Sequence, residues 1–297
     1  DPSYVARALP VFQSLYGPGR WFDTHVRGWE NIPDGPALLV SNHSGGTIVL
    51  DAFGIGAAWY SHFGPERPLH GLAHEMVFAT HATGAFLERC GAIRAGRDVA
   101  RRTLLEMGRQ VIVMPGGDVD VWRPATRRYR VTFGGRTGYA KLAMRLGVPI
   151  IPVTHVGAHH TLHVLSSGRG LAKRLGLIRT LARAEIFPVH LSLPWGLAVG
   201  PWPHLPPPTR FDYAFSPAIL PTGDPDDPRA VQELDARVQY AIQDQLDVLR
   251  IERRSRHRDL SHVMRRADEA AASLRDLVEA LRGDALDEDL LEALAAK

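Results

Sequence analysis

One stretch decides how this chain folds: Ala37-Leu38-Leu39-Val40-Ser41-Asn42-His43-Ser44-Gly45-Gly46. Its first four residues are apolar and predict a short buried strand that ends at Ser41-Asn42. His43 then lies at the carboxyl end of a strand, where open α/β sheets place their functional residues. The pair Gly45-Gly46 permits backbone conformations that other residues avoid. Because Asp51 follows a few residues later, His43 is either a general base beside an acid or a buried structural histidine.

The flanking stretches alternate between short apolar strands and amphipathic helices. Two further buried strands are predicted at Val111–Met114 and Val148–Val153. Asp98 is the predicted N-cap of one helix, and Gly147 is the predicted C-cap of another. The predicted helices are Ala52–Phe63, Glu75–Cys90, Val99–Met107 and Arg136–Leu146. This alternation predicts an α/β fold with a mostly parallel sheet flanked by helices.

The two ends of the chain have different patterns. Residues Tyr4–Tyr16 predict an N-terminal helix, and packing on the core is favoured over a position in a membrane interface. From Pro228 onward, apolar residues recur every three or four positions in two runs, which predict two helices, the first capped by Asp227. We therefore expect an α/β domain over residues 1–223 and a helical C-terminal extension over residues 224–297. The extension would pack on the α/β domain or on a second subunit.

Composition narrows the class of protein. A hydrophobic content of 45% suits a packed core, and the single cysteine, Cys90, excludes an intramolecular disulfide. The net charge of +3 is too small to indicate a nucleic-acid partner, but ten arginines and four acids lie between Arg94 and Arg136. That basic region suits phosphate groups or anionic lipids. No stretch is apolar for the ~20 residues that a transmembrane helix needs. Because the chain begins at Asp1 rather than methionine, an anchoring segment could precede it.

Residues Ile186–Pro203 form an apolar stretch without charged side chains. Prolines interrupt it, so it cannot form one continuous helix. It also contains Trp195 and Trp202, and tryptophan is enriched where proteins meet membrane interfaces. The stretch therefore predicts a loop or hairpin that either caps an apolar cleft or faces a membrane.

Four blocks of sequence occur in an order that resembles the glycerolipid and lysophospholipid acyltransferase superfamily. The Pro-Gly-Gly form of the third block looks most like the diacylglycerol and monoacylglycerol acyltransferase branch, as does Arg136–Ala143 after it. The resemblance covers about Val26–Ile219 and leaves the C-terminal tail unmatched. The blocks are Asn42-His43 through Asp51, Gly91-Ala92-Ile93 with Arg97, Val113-Met114-Pro115-Gly116-Gly117, and Val148–Val153.

The resemblance implies an O-acyltransferase. Such an enzyme moves a fatty acyl group from acyl-CoA or acyl carrier protein to the hydroxyl of a glycerolipid, a lysophospholipid or another lipid alcohol. His43 would remove the hydroxyl proton, and Asp51 would orient the imidazole. Because a thioester is already activated, acyl-CoA is the implied co-substrate and no metal or redox cofactor is needed. Peripheral contact with the cytoplasmic face of a membrane is also implied, and the C-terminal helices could support a homo-oligomer.

The spacing between the two catalytic candidates departs from the superfamily. Four residues usually separate the histidine from the acid, whereas seven separate His43 from Asp51. On one continuous helix that offset corresponds to about 12 Å of rise, too far for a hydrogen bond. We therefore predict that Ser44–Gly46 forms a loop and that a helix begins near Thr47, which places Asp51 about one turn into it. Asp118 and Asp120 are the alternative acidic partners.

The third block departs as well. Phosphate-dependent members carry Glu-Gly-Thr-Arg, whereas this chain has Pro115-Gly116-Gly117-Asp118 and lacks the arginine that would bind an acceptor phosphate. A neutral glyceride, a lysophospholipid or another lipid alcohol is therefore the favoured acceptor. Arg97 matches the arginine of the second block. It could hold CoA phosphates together with Arg94, Arg123, Arg127, Arg128 and Arg130. Asn42, Arg97 and Pro115–Asp118 are the predicted substrate-binding residues.

Other classes of function remain open on the sequence alone. His155, His159, His160 and His163 are close together, but no HExxH motif or cysteine pair accompanies them, so we predict no metal site. The same pocket could use water as acceptor, which would make the protein an acyl thioesterase. The altered spacing between His43 and Asp51 could instead mark a lipid-binding protein that has lost catalysis.

Overall fold

The structure is a computed structural model that describes residues 1–78, 80–170 and 186–283. Two sheets are present in this part of the chain. The main sheet contains β1 (Tyr16–Gly17), β2 (Phe22–Arg27), β3 (Leu38–Ser41), β4 (Leu69–Ala73), β5 (Ala92–Arg94), β6 (Gln110–Val113), β7 (Ile150–Val156) and β11 (Thr209–Phe215). A small second sheet contains β8 (His163–Ser166), β9 (Val189–Ser192) and β10 (Gly196–Val199).

The main sheet is mostly parallel, as the sequence predicts. Its strand order is β1-β2-β11-β7-β3-β6-β4-β5, and β11 against β7 is the antiparallel pair. Strand β3 is central and lies between β7 and β6, with Leu39 opposite Ile151 and Ile112. Parallel strands covered on both faces are apolar throughout, which explains the uninterrupted run before Ser41. The sheet therefore places the residues after β3, β6 and β7 at one edge.

Seven α-helices accompany the sheets in the described residues, and several cover the two faces of the main sheet. Their bounds are α1 (Pro2–Leu15), α2 (Leu50–Phe63), α3 (His81–Arg89), α4 (Arg97–Arg101), α5 (Gly117–Val121), α6 (Gly138–Leu146) and α7 (Pro228–Gly283). On one face, α1 and α2 contribute Val5, Ile55 and Trp59 to a core around Leu39. On the other, α6 and the start of α7 pack Ala140, Leu234 and Val238 around Leu38 and Val40.

Three local predictions were wrong, each for a physical reason. The helix predicted over Glu75–Cys90 is divided into a 3-10 turn, Glu75–Phe78, and α3, because Thr80 caps a new helix by accepting the Thr83 N–H at 3.2 Å. Asp98 is not the N-cap of α4, since Gly96 occupies that position and Asp98 lies in the first turn. The two predicted C-terminal helices are one helix, α7, because no glycine or proline interrupts residues 229–282.

Other local predictions were confirmed. Gly147 ends α6 in the left-handed conformation, and Asp227 accepts the Arg229 N–H at 2.9 Å at the start of α7. The N-terminal helix packs on the core through Phe12, whose ring stacks on Phe53 at 5.7 Å. The Ile186–Pro203 stretch forms the antiparallel hairpin β9–β10.

The chain divides into two units, Asp1–Leu249 and Arg250–Lys297, whereas the sequence predicts a boundary at residue 224. The predicted boundary stays a prediction, and so does the oligomer expected through the C-terminal helices. Residues 284–297 of the predicted extension lie outside the described residues. Across the described ranges, no helix is long and apolar enough to cross a membrane.

Candidate active site

The loop after β3 brings His43 and Asp51 together despite the seven residues between them. The backbone turns at Gly45, which has a φ of 104°, passes through a 3-10 turn at Gly46–Ile48, and turns again at Val49, where φ is 48°. Helix α2 then begins at Leu50, so Asp51 lies in its first turn. The Nδ1 atom of His43 is 2.6 Å from Oδ2 of Asp51. The predicted contact between the two side chains is therefore present, but the helix begins at Leu50 rather than near Thr47, because the left-handed conformation of Val49 interrupts the helical backbone.

Asp51 is fully buried and its Oδ2 atom is shared by three groups. Besides Nδ1 of His43, it accepts the Ser44 N–H at 2.7 Å and lies 3.2 Å from Nε2 of His155. Burial raises the pKa of Asp51, but the neighbouring imidazoles and the Ser44 N–H lower it further, so the net direction is downward. The carboxylate form is thus favoured, and it holds the proton of His43 on Nδ1.

The Nε2 atom of His43 is left available. It has no hydrogen-bond partner among the described residues, and the side chain is 13% exposed. Burial lowers the pKa of His43, yet the charge of Asp51 and its hydrogen bond outweigh that effect and raise the pKa above its ordinary value. A lone pair on Nε2 with a carboxylate behind the ring is the arrangement of a general base.

A second histidine, His155, supports the same carboxylate from β7. Its Nε2 atom lies 2.8 Å from the Ser44 hydroxyl. Burial lowers the pKa of His155 to about 4, so this ring is neutral near pH 7. Asn42 fixes its position, because the Asn42 side chain accepts the His155 N–H and donates to the His155 carbonyl, both at 3.0 Å. The contact of Asn42 with substrate, which the sequence predicts, stays a prediction. In the structure the Asn42 side chain links the end of β3 to β7.

An ion pair holds the main chain of His43 on both sides. Asp120 accepts the His43 N–H through Oδ2 at 2.6 Å, and Arg123 donates to the His43 carbonyl at 2.7 Å. The two side chains are buried and pair with each other at 2.7 Å. Asp120, the alternative partner of the imidazole, therefore binds the backbone instead. Arg123, expected among arginines free to hold phosphates, is wholly engaged here.

Sequence reasoning missed this role of Arg123, although a signal was present. Asp120 and Arg123 are opposite charges three positions apart within an otherwise apolar run that includes Val119 and Val121. Charged residues are seldom buried unless they are paired. Such spacing inside an apolar segment therefore predicts a buried ion pair.

The third block forms the turn between β6 and α5, beside the His43 loop. Arg136 donates to the carbonyls of Pro115 and Gly116 at 3.3 Å and 2.6 Å, and to the Asp118 carboxylate at 3.0 Å. Asp118, the other alternative acid, is thus bound by Arg136. Gly117 adopts a φ of 49°. A side chain on Gly116 would collide with Asp120, so this glycine lets Asp120 reach His43.

Arg97 occupies the same edge of the sheet, farther from the imidazole. It begins α4, just after β5, and its side chain is exposed. Strand β5 is three positions from β3 in a run of parallel strands, which corresponds to about 14 Å across the sheet. Arg94, in contrast, is paired with Glu75 and Glu88. Arg97 is therefore available for a ligand group distant from the reacting hydroxyl.

The histidines that follow His155 serve separate contacts. His159 is buried against the Arg123 carbonyl at 2.8 Å, and burial holds its pKa well below the ordinary value. His160 bonds the Tyr129 hydroxyl at 3.0 Å, and His163 lies 3.4 Å from Arg128. Within the described ranges, no group of three or more histidine, cysteine or acidic side chains is arranged to hold a metal ion.

Comparison with known proteins places these residues in a named domain. Residues 23–156 match the family model described as Acyltransferase, and this range contains His43, Asp51, Asp120 and Arg123. The match ends at Val156, the last residue of β7.

Relatives extend the match along the chain. An uncharacterized protein of Mycobacterium tuberculosis is 32% identical over 231 residues, which cover 76% of this chain and 61% of the relative. The chain thus spans about three fifths of that relative's length. A human protein named "DGAT1/2-independent enzyme synthesizing storage lipids" is 31% identical over 134 residues, or 45% of this chain and 40% of the human protein.

A solved structure is also similar. The 1-acyl-sn-glycerophosphate (LPA) acyltransferase of Thermotoga maritima is 17% identical, with a TM-score of 0.48 over 84% of this chain and 78% of the other.

Proposed function

Because this chain belongs to the glycerolipid and lysophospholipid acyltransferase superfamily, we propose that it transfers a fatty acyl group from acyl-CoA to the hydroxyl of a lipid alcohol. The observation that carries the proposal is the 2.6 Å pair of His43 and Asp51, with Nε2 of His43 left available. An alcohol is a poor nucleophile near neutral pH, and a positioned base contributes about 10² to 10⁴ in rate.

The chemistry follows from the position of that nitrogen. Nε2 of His43 removes the proton of the acceptor hydroxyl as its oxygen attacks the thioester carbonyl. The tetrahedral intermediate then expels the CoA thiolate, which takes the proton from His43 and leaves as the free thiol. Asp51 stabilises the imidazolium formed between these steps. Asp120 and Arg123 keep the ring in position because they bind the main chain of His43. The steps consist of proton transfer and acyl transfer, and acyl-CoA is the co-substrate.

A neutral acceptor fits the third block best. The turn Pro115–Asp118 presents no free cation, because Arg136 is bound to its carbonyls and to Asp118. An acceptor phosphate there would meet the Asp118 carboxylate. The name of the human relative, which refers to synthesis of storage lipids, supports the same class. We therefore propose a monoacylglycerol or diacylglycerol as acceptor, with a lysophospholipid next.

The donor and the location belong to the same proposal. Arg97, at the sheet edge about 14 Å from β3, suits the phosphates of CoA rather than the reacting thioester. An acceptor of this class resides in a bilayer, so we propose peripheral contact with the cytoplasmic face of a membrane. Acyl carrier protein is the alternative donor.

The test is a transfer assay with labelled acyl-CoA and a set of acceptors. We expect acylation of monoacylglycerol or diacylglycerol, and little of glycerol 3-phosphate. His43→Ala should fold, as judged by circular dichroism, and should lose about 10² to 10⁴ of the rate. Wild-type transfer by a folded His43→Ala protein would disprove the proposal. Release of free fatty acid that no alcohol diverts would assign a thioesterase instead.

A further inference from the structure

The outer face of the small β8–β9–β10 sheet is apolar although it is exposed. In antiparallel sheets with one covered side, the solvent side is ordinarily polar. Here Leu191 and Leu197 are cross-strand partners and are 43% and 63% exposed, while His190 and Ala198 point the other way and are buried. We call this surface the hairpin face, which comprises Leu165, Leu191, Leu193, Trp195, Leu197, Val199, Trp202 and Leu205, each more than 40% exposed.

Basic side chains flank the hairpin face beside β8. Residues 186–209 contain no aspartate, glutamate, lysine or arginine, and residues 121–170 contain no acid. Arg128 lies at the border, with its guanidinium 3.4 Å from Nδ1 of His163 on β8, and the nearby Arg127 and Arg130 are exposed. The face is therefore an uncharged apolar area with a cationic border on its β8 side. This pattern is typical of proteins that bind anionic lipid surfaces.

The two tryptophans of the hairpin face have their polar atoms satisfied. The indole N–H of Trp195 donates to the Pro203 carbonyl at 2.6 Å, and that of Trp202 donates to the Val199 carbonyl at 3.0 Å. Their rings lie 6.0 Å apart and are about half exposed. Because neither indole has a free donor, the rings can enter an apolar phase without an unsatisfied polar group. Tryptophan is also enriched at membrane interfaces.

The hairpin face is continuous with the candidate active site. The Thr47 hydroxyl donates to the Pro201 carbonyl at 2.6 Å, and the His204 ring lies against Gly46. Thr47 and Gly46 belong to the loop that joins His43 to Asp51. A surface that binds the hairpin face therefore lies beside the loop that carries the proposed base.

We propose that the hairpin face docks this protein on an anionic lipid bilayer. A second copy of the chain is a poorer occupant, because a symmetric dimer would bring the cationic border against itself. Only the purpose of the docking rests on the proposed function. That purpose is to bring a bilayer-resident acceptor beside His43. Binding itself is measured without acyl transfer.

The experiment compares two leucine variants of the full chain. Leu197→Ser removes a side chain of the hairpin face that is 63% exposed. Leu220→Ser is the matched control, because Leu220 is 65% exposed and follows the bridge between Ile219 and Ile150 at the start of β7, the opposite sheet edge from His155. Co-sedimentation uses vesicles of phosphatidylcholine, with and without phosphatidylglycerol.

We expect Leu197→Ser to bind mixed vesicles about tenfold more weakly than wild type, and Leu220→Ser to bind unchanged. Arg127→Gln with Arg130→Gln should weaken binding to the mixed vesicles and leave binding to phosphatidylcholine unchanged. Equal binding by the two leucine variants overturns the docking face. If wild type is a dimer that binds no vesicles and Leu197→Ser is a monomer, the hairpin face belongs to a second copy of the chain. That result also overturns the proposal.

Transfer to a short-chain monoacylglycerol dissolved as monomers separates docking from chemistry. Leu197→Ser should acylate it at the wild-type rate, which supports a role confined to the membrane. If wild type acylates no acceptor, the proposed function fails, whereas the vesicle result still decides the docking face.

Discussion

The Nη1 atom of Arg123 lies 2.7 Å from the carbonyl oxygen of His43, eighty positions earlier in the sequence. The same guanidinium pairs with Asp120, which accepts the His43 N–H. A side chain from the third-block region thus fixes the backbone of the proposed base, and this relationship defines the first prediction.

Breaking the pair should cost both stability and rate. Arg123→Met leaves the Asp120 charge buried and unpaired, so we expect a loss of about 3 kcal/mol in the free energy of unfolding, measured with urea. A double variant, Asp120→Leu with Arg123→Met, should recover much of that stability because no buried charge is left alone. We expect its kcat to stay at least tenfold below wild type, since His43 has lost its main-chain partners. Recovery of both quantities would contradict the positioning role.

Asp51 should contribute to the chemical step rather than to binding. Asp51→Asn keeps the shape of the side chain but removes the charge that stabilises the imidazolium. We expect kcat to fall by about 10² to 10⁴ with little change in KM for acyl-CoA. A wild-type kcat in this variant would exclude Asp51 as the partner of His43.

The pH profile should report the raised pKa of His43. The base works only when neutral, so kcat should rise with pH, with a midpoint above the ordinary histidine value of 6.5. In Asp51→Asn the charge that raises this pKa is gone while burial still lowers it, so the midpoint should move to lower pH. A variant midpoint equal to wild type would show that another group titrates.

Two glycines in α2 offer a matched test of the packing behind the site. A side chain on Gly54 would collide with the Tyr213 hydroxyl, which donates to the Asp51 carbonyl at 2.9 Å. At Gly56 no described residue lies within 4 Å of the position that a Cβ atom would take. We expect Gly54→Ala to lower the free energy of unfolding by about 1–3 kcal/mol, and Gly56→Ala to raise it by about 0.5–1 kcal/mol. Thermal or urea unfolding of the two variants would show opposite signs.

Arg97 should act on donor binding alone. Because it lies about 14 Å from β3, Arg97→Gln should raise KM for acyl-CoA several-fold and leave kcat unchanged. Arg102→Gln is the control, since Arg102 is exposed but lies near Glu106. A lower kcat at unchanged KM in Arg97→Gln would place this side chain in the chemistry instead.

Much of the fold follows from local patterns. The uninterrupted apolar run before Ser41 predicts a strand covered on both sides, and β3 is the centre of the main sheet. The pairing of His43 with Asp51 followed from rejecting one geometry, since a continuous helix would have kept them apart. The loop was therefore predicted from the distance between the two side chains. Glycines after His43 permit the backbone turn that the loop needs.

The remainder depends on contacts between distant segments. Nothing near His155 in the sequence indicates that it meets Ser44 and Asp51, because register between β3 and β7 creates that contact. In the sequence Arg123 is one of many basic residues, and its burial in the structure distinguishes it from the others. The composition gives the number of charged residues, whereas their burial shows which of them have a structural role.

The neutral His155 has a consequence for the electrostatics of the reaction. Asp51 has two imidazoles beside it, and His155, with a pKa of about 4, carries no charge near pH 7. Arg123 is already balanced by Asp120. While His43 is neutral, the buried carboxylate has no compensating charge. During the reaction it gains one when the acceptor's proton moves to His43, so the protein's own charge is balanced best midway through the transfer.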